Sequence, residues 1–296
     1  MRRAEWILLL ASWLSPFLLL GLAELAVRAF SDVDLLGNSE HLFVSERYGP
    51  SKGNAPNVEA MSFGQRVYTD QHGFRVPKAG LPGEERKRAA ILVLGDSVAF
   101  GPAVEEEDTL AGLLRVRFPS TRIYNSAVIG YTTPDYRNLI EAFVPAHPEI
   151  EAAVLIYCLN DISSYSAQTI DRHLQERQGI APEQELTETL RSFAPMSAAN
   201  DFLRSRSKFY LLLRHRLLGT QLRDWKAVLP LYSEDRDADL AESVADIARM
   251  AAALEARGGR FVVVLTPFEY QLRNPEDPET QIPQRKLARL LEQARV

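Results

Sequence analysis

Ser97 is the side chain of this sequence best placed, by type and by neighbours, to form a covalent bond with a substrate. It stands in Gly95-Asp96-Ser97-Val98-Ala99-Phe100-Gly101, directly after the apolar run Ala90-Ile91-Leu92-Val93-Leu94. A buried strand that stops at Gly-Asp-Ser and turns into a helix presents the hydroxyl at the carboxyl end of a sheet, where open α/β sheets bind ligands. The chemistry to expect is acyl transfer. The hydroxyl attacks a carbonyl, and the oxyanion that forms needs preorganised hydrogen-bond donors. Two other segments carry suitable donors. Gly130, in the stretch from Asn125 to Thr133, offers a main-chain N–H with no side chain in the way. Asn160, in Leu159-Asn160-Asp161, offers two amide hydrogens on an uncharged side chain. The Ser97 N–H, at a helix start, completes the set.

These residues lie far apart in the chain, so a sheet must gather them. Apolar, β-rich runs occur at 90–94, 123–128, 152–159 and 260–265, with helical patterns at 109–118, 134–144, 237–257 and 283–294. Strands separated by helices predict a parallel sheet covered on both faces. Ser97, the Gly130 segment, Asn160-Asp161 and Thr266-Pro267 then all fall at the carboxyl edge. Residues 31–88 are rich in Gly, Pro, Asn and Ser and read as an extended membrane-proximal segment with one strand at 65–69. Residues 89–296 form the main domain, interrupted by a helical insertion at 162–235. Within it, 199–218 sets Phe202, Leu203, Tyr210 and Leu211 among Arg204, Arg206, Lys208 and Arg214, as a lid, a membrane-lying helix or a helix packed on the domain.

Residues 1–30 predict a membrane anchor. Arg2 and Arg3 precede an uncharged stretch from Trp6 to Ala23, about the minimum length for a helical span. Arginines at the leading end stay cytoplasmic and send the remainder to the periplasmic or extracellular side. A cleaved signal peptide at Gly21-Leu22-Ala23 has the same consequence for the main domain. The remaining composition is that of an ordinary globular protein, with 46% hydrophobic and 25% charged residues. A net charge of −5 provides no basic footprint for nucleic acid. One cysteine, Cys158, excludes an internal disulfide framework. No His, Asp and Glu group has metal-ligand spacing, and Gly95 to Gly101 fits neither a dinucleotide fingerprint nor a Walker loop. No metal and no cofactor is expected.

Gly95-Asp96-Ser97, Gly130 and Asn160-Asp161, in this order and each at a strand end, resemble the first three sequence blocks of the SGNH, or GDSL, hydrolase family. The resemblance spans about residues 89–267 apart from the insertion, and Asp70-Gln71-His72-Gly73-Phe74-Arg75 is similar to a segment of its membrane-anchored members. It implies a three-layer α/β/α, flavodoxin-like fold and a serine nucleophile. It also implies hydrolysis of a small-molecule or carbohydrate ester, by esterase, lipase, thioesterase or deacetylase chemistry. Cys158 stands where the third block often has glycine, which reads as packing or, more sharply, as a reactive thiol.

The family's catalytic histidine, in an Asp-x-x-His block after a fifth strand, has no counterpart before Val296. The fold is therefore expected to be incomplete at its C-terminus. Of the five histidines, His41 is membrane-proximal, His147 precedes a strand at the end opposite the site, and His173 and His215 fall in the insertion. His72 remains, with Asp70 as its carboxylate partner, as in some O-acetyltransferases of related fold. Three readings stay open: a shortened form of a longer enzyme, a substitute base at His72, or a non-catalytic relative that binds carbohydrate or an acyl group. Acyl transfer to a sugar hydroxyl shares its first half-reaction with hydrolysis and stays open as well.

Overall fold

The computed structural model describes residues 3–30, 38–81, 83, 88–162, 203, 206–210, 213 and 225–296. They fall into two compact units, 1–37 with 179–220, and 38–178 with 221–296. In the first unit, helix α1 (Arg3–Phe30) runs for 28 residues with Pro16 inside it. Its window Trp13–Phe30 has a mean hydropathy of 1.5 and none of it is buried. By length and composition this helix is sufficient to cross a bilayer. Near its end, the Glu24 carboxylate accepts the Ser207 hydroxyl at 2.8 Å and the N–H groups of Lys208 and Phe209 at 3.0 and 2.9 Å. Most of the helix expected at 199–218 lies outside the described residues.

The second unit is built on a sheet. The segment leading into it holds β1 (Phe43–Tyr48) and β2 (Ser51–Asn54), which form a hairpin, and β3 (Glu59–Ser62), β4 (Gln65–Thr69) and β5 (Arg75–Val76). The parallel strands follow: β6 (Ala90–Gly95), β7 (Arg122–Asn125), β8 (Ile150–Tyr157) and β9 (Arg260–Leu265). The seven-stranded sheet has the order β3-β4-β5-β7-β6-β8-β9. β7-β6-β8-β9 is parallel, and counted from β6 its order is 2-1-3-4, that of a flavodoxin-like sheet through its fourth strand.

β3, β4 and β5 extend the sheet in antiparallel fashion and join β7 where Arg75 faces Asn125. The single strand expected upstream is β4, and four further strands accompany it. They escape a search for apolar runs because they are short and their buried positions are often small or polar: Ser51 and Asn54 in β2, Ala60 and Ser62 in β3, Arg75 in β5.

Helices cover the sheet in two layers. α4 (Thr133–Phe143), α5 (Asp237–Glu255) and α7 (Ile282–Gln293) bury Leu139, Ile140, Leu240, Ile247, Leu287 and Leu291 against Ala90, Leu92 and Leu94. On the opposite face, α2 (Ser97–Phe100) and α3 (Leu110–Arg117) bring Ala99, Phe100 and Ala111 onto Val93, Ile123 and Ile156. The short helix α6 (Glu269–Arg273) follows β9. Alternation along β6 supplies both cores from one strand. Among the described residues the second layer lies over β6 and β7 through α2 and α3, and at β9 Val262 is 47% and Val264 42% exposed. The expectation of a sheet covered on both faces therefore holds, among the described residues, for the central strands. The end of the expected insertion belongs to the first core, with Trp225, Val228, Leu231 and Tyr232 buried.

Candidate active site

Ser97 is the first residue of α2, immediately beyond β6. Asp96 caps the helix through Oδ1, which accepts the Val98 N–H at 2.8 Å. Gly95 permits the tight approach of helix to strand. A Cβ there would lie 2.4 Å from the Ala99 methyl and 3.0 Å from the Ile156 carbonyl. α2 closes at Gly101, whose φ of 71° is left-handed and whose N–H returns to the Ser97 carbonyl.

Asn160 and Asp161 follow β8, the parallel neighbour of β6 on the side away from β7. Chain connections leave β6 and β8 in opposite directions, which makes their carboxyl ends a topological switch point. Both candidate groups are placed beside the Asp96 carboxylate. The Ser97 hydroxyl donates to Asp96 Oδ2 at 3.3 Å, and Asn160 acts electrostatically on the same carboxyl group. The loop carrying Gly130 is tied to the same edge at two points. Val128 N–H donates to the Gly95 carbonyl at 3.1 Å and Thr133 N–H to the Asp161 carbonyl at 2.9 Å. Gly130 itself has φ 78°, and among the described residues nothing accepts its N–H. The Ser97 N–H, expected as a further oxyanion donor, lies at the start of α2.

Three neighbours were not visible from the sequence. Lys52, from the β1–β2 hairpin, places Nζ 3.5 Å from where a Gly130 Cβ would stand. Ser51 of the same hairpin donates to Asp135 Oδ1 at 2.6 Å, fixing it to the start of α4. Tyr136, fully buried, donates its hydroxyl to Asp161 Oδ2 at 2.8 Å. Nothing in their local sequence marks Ser51 and Lys52, which reach the Gly130 loop from a hairpin far upstream, and Tyr136 reads simply as part of the apolar face of α4. Cys158 is buried, and burial raises its thiol well above the ordinary range. Of its two readings, burial and a raised thiol favour packing over a reactive group.

The structure does not bring His72 and Asp70 to Ser97. Asp70 Oδ1 accepts the N–H groups of His72 and Phe74 at 2.8 and 2.9 Å, closing a turn between β4 and β5. The His72 ring lies 5.2 Å from both Phe143 and His147, in a cluster with Phe74 and Tyr124. Phe143 ends α4, ten residues and about 15 Å of helix rise from Thr133, which bonds Asp161. The assignment of His72 as base, with Asp70 orienting it, is thus corrected to an aromatic packing role and a turn. His41 bonds the Glu59 carbonyl, while His173 and His215 lie outside the described residues. Among the described residues there is no cluster that could hold a metal ion.

Burial lowers the His72 imidazole below its ordinary value of 6.5, with His147, Arg47 and Arg122 acting in the same direction and Asp70 opposing. The unfolded ring takes up a proton where the folded one resists it, so stability is complete above 6.5 and lost as pH falls toward the folded value. His72→Phe is expected to reduce the drop in melting temperature between pH 7.5 and 5.5 and to leave Ser97 reactivity intact. Equal acid slopes for the two proteins would contradict this account of the ring.

No family model and no curated protein matches the chain. Solved structures do align with it. The crystal structure of TesA covers 70% of this chain and 75% of its own, at 13% identity and a TM-score of 0.35. AlinE4, an SGNH-hydrolase family esterase, covers 64% of this chain and 81% of its own, at 16% identity and a TM-score of 0.28. At these scores the likeness adds no argument to the geometry described above.

Proposed function

We propose that this chain is a serine ester hydrolase of SGNH/GDSL type. It acts on a small-molecule or carbohydrate ester outside the cytoplasm, with α1 as its membrane anchor. One observation supports the reading: the Ser97 hydroxyl, bonded to Asp96 at the end of β6, and Asn160, just past the end of the neighbouring β8, stand at the switch point of the parallel sheet around one carboxylate. Ser97 Oγ attacks the ester carbonyl, and Gly130 and Asn160 donate to the oxyanion. Collapse expels the alcohol, and water then releases the acid. The Ser97 proton must leave as the new C–O bond forms. Among the described residues, the acceptor in contact with it is Asp96. No step in this sequence calls for a metal or an organic cofactor.

A fluorophosphonate probe tests the reading without knowledge of the natural ester. The full chain is expected to acquire one covalent adduct, and Ser97→Ala none, at unchanged melting temperature. Labelling that survives in Ser97→Ala, or a parent chain that stays unlabelled while a control serine hydrolase reacts, would refute it.

A further inference from the structure

Asp96 and Asp161 are 2% and 0% exposed and stand just beyond the carboxyl ends of the paired strands β6 and β8, where each acts electrostatically on the other. Two buried carboxylates that repel each other with no cation paired to either are not both ionised. Their other partners show where a proton resides. Asp96 receives a donor at each oxygen, the Val98 N–H at Oδ1 and the Ser97 hydroxyl at Oδ2. That is the environment of an anion. Asp161 Oδ2 accepts the Tyr136 hydroxyl and the Cys158 N–H, whereas its Oδ1 is buried without any partner of its own.

We infer that Asp161 is a carboxylic acid at neutral pH, carrying its proton on Oδ1 toward Asp96, and that this shared proton positions the nucleophile and the oxyanion donor. The inference rests on the reading of Ser97 and Asn160 given above. Asp161 is a positioning residue: it acts through Asp96, beside which both groups are placed. With the proton in place, one negative charge is spread over two carboxyls, and Asn160 and Ser97 can turn from Asp96 to a substrate. Without it, a second charge tightens Asp96's hold on both groups and opposes an oxyanion next to it.

The surroundings agree. Burial raises both groups, Asp161 well above the ordinary carboxylate range. The titratable side chains that act on Asp161 from α4, from the end of β8 and from the turn at 229–232 are Tyr136, Tyr157, Cys158 and Tyr232, all held in their neutral forms by burial. No ion pair among the described residues involves either carboxylate.

Asp161→Asn keeps every bond, because its amide oxygen accepts from Tyr136 and Cys158 and its NH2 donates to Asp96. The full chain, with carboxyl-13C aspartate, is compared with this variant by infrared spectroscopy, by melting and by fluorophosphonate labelling. The parent is expected to show a carboxylic-acid carbonyl band at pH 7 that the variant lacks. A proton bound more tightly folded than unfolded makes stability fall as pH rises above the ordinary carboxylate range. The parent's melting temperature and labelling rate should both decline toward pH 9, and the variant's should not. At pH 7 the variant should label within about threefold of the parent. Absence of the band from the folded parent, or identical alkaline declines in both proteins, would overturn the inference. A band and a pH-dependent melt in a parent that no probe labels would uphold the shared proton and remove the ester-hydrolase reading instead.

Discussion

Asn160→Ala is expected to slow covalent capture of Ser97 by about 10²–10³-fold while leaving the fold intact. That range is the usual consequence of deleting one oxyanion donor. The geometry makes the separation of reactivity from stability sharp. Asn160 lies at the rim, half-buried, after the last residue of β8, so the space its side chain vacates fills with water. The Asp96 carboxylate keeps the Val98 and Ser97 donors. The loss is thus confined to the state in which negative charge sits on the substrate oxygen. Stopped-flow labelling with a fluorophosphonate, read beside thermal melts, measures both. A rate within threefold of the parent would mean that Asn160 does not face the reacting oxygen. Asn160→Asp should be slower still, since it adds a carboxylate beside Asp96 and Asp161.

How far the sequence announces this site depends on the length scale of each signal. The four parallel strands stand out as uninterrupted apolar runs because both faces of a central strand are buried. Each begins or ends within a few residues of its expected position, and Ser97 and Asn160 follow the carboxyl ends of neighbouring parallel strands. β1, β2, β3 and β5 give no such signal. Their inward positions are filled by residues such as Ser51, Asn54, Ala60 and Ser62, so they read as loop. The hairpin that brings Lys52 to Gly130 was hidden for that reason.

For His72 the sequence leaves two readings, a substitute base or a turn residue, and does not choose between them. Asp-x-His is a spacing that suits a catalytic pair, and equally one in which the carboxylate bonds the backbone two residues on. Only the fold decides between them, and here Asp70 bonds the backbone. The pairing of Asp96 with Asp161 was out of reach by another route. Both residues sit inside recognisable segments, but their juxtaposition follows from the register of β6 and β8, which no local pattern encodes.

Arg75 provides the second large effect, on stability. Its side chain is 0% exposed, yet no carboxylate among the described residues forms an ion pair with it. Instead the guanidinium donates to three main-chain carbonyls, those of Phe100, Gly101 and Val104, and lies 5.0 Å from the Phe100 ring. Burial lowers its pKa, while Glu106, Glu105 and Glu107 partly offset that effect. An arginine retains its charge under such pressure. The three carbonyls leave the C-terminal side of α2, so one side chain from β5 fixes the exit of the helix that starts at Ser97.

Arg75→Met preserves length and removes all three donors. A buried acceptor left without a partner costs about 1–3 kcal/mol, and Phe100 is fully buried. The variant should therefore lose about 1–3 kcal/mol through the Phe100 carbonyl alone, or about 2–12 °C of melting temperature for a domain of this size. Arg75→Lys retains a cation that can serve fewer of the three oxygens, so it should fall between the two. Ser97 labelling should decline in the same order even below the melting transition, because α2 would no longer be held at its end. A methionine variant that melts with the parent and labels at the parent rate would show that the carbonyls find other donors, and that α2 is positioned by Asp96 and Gly95 alone.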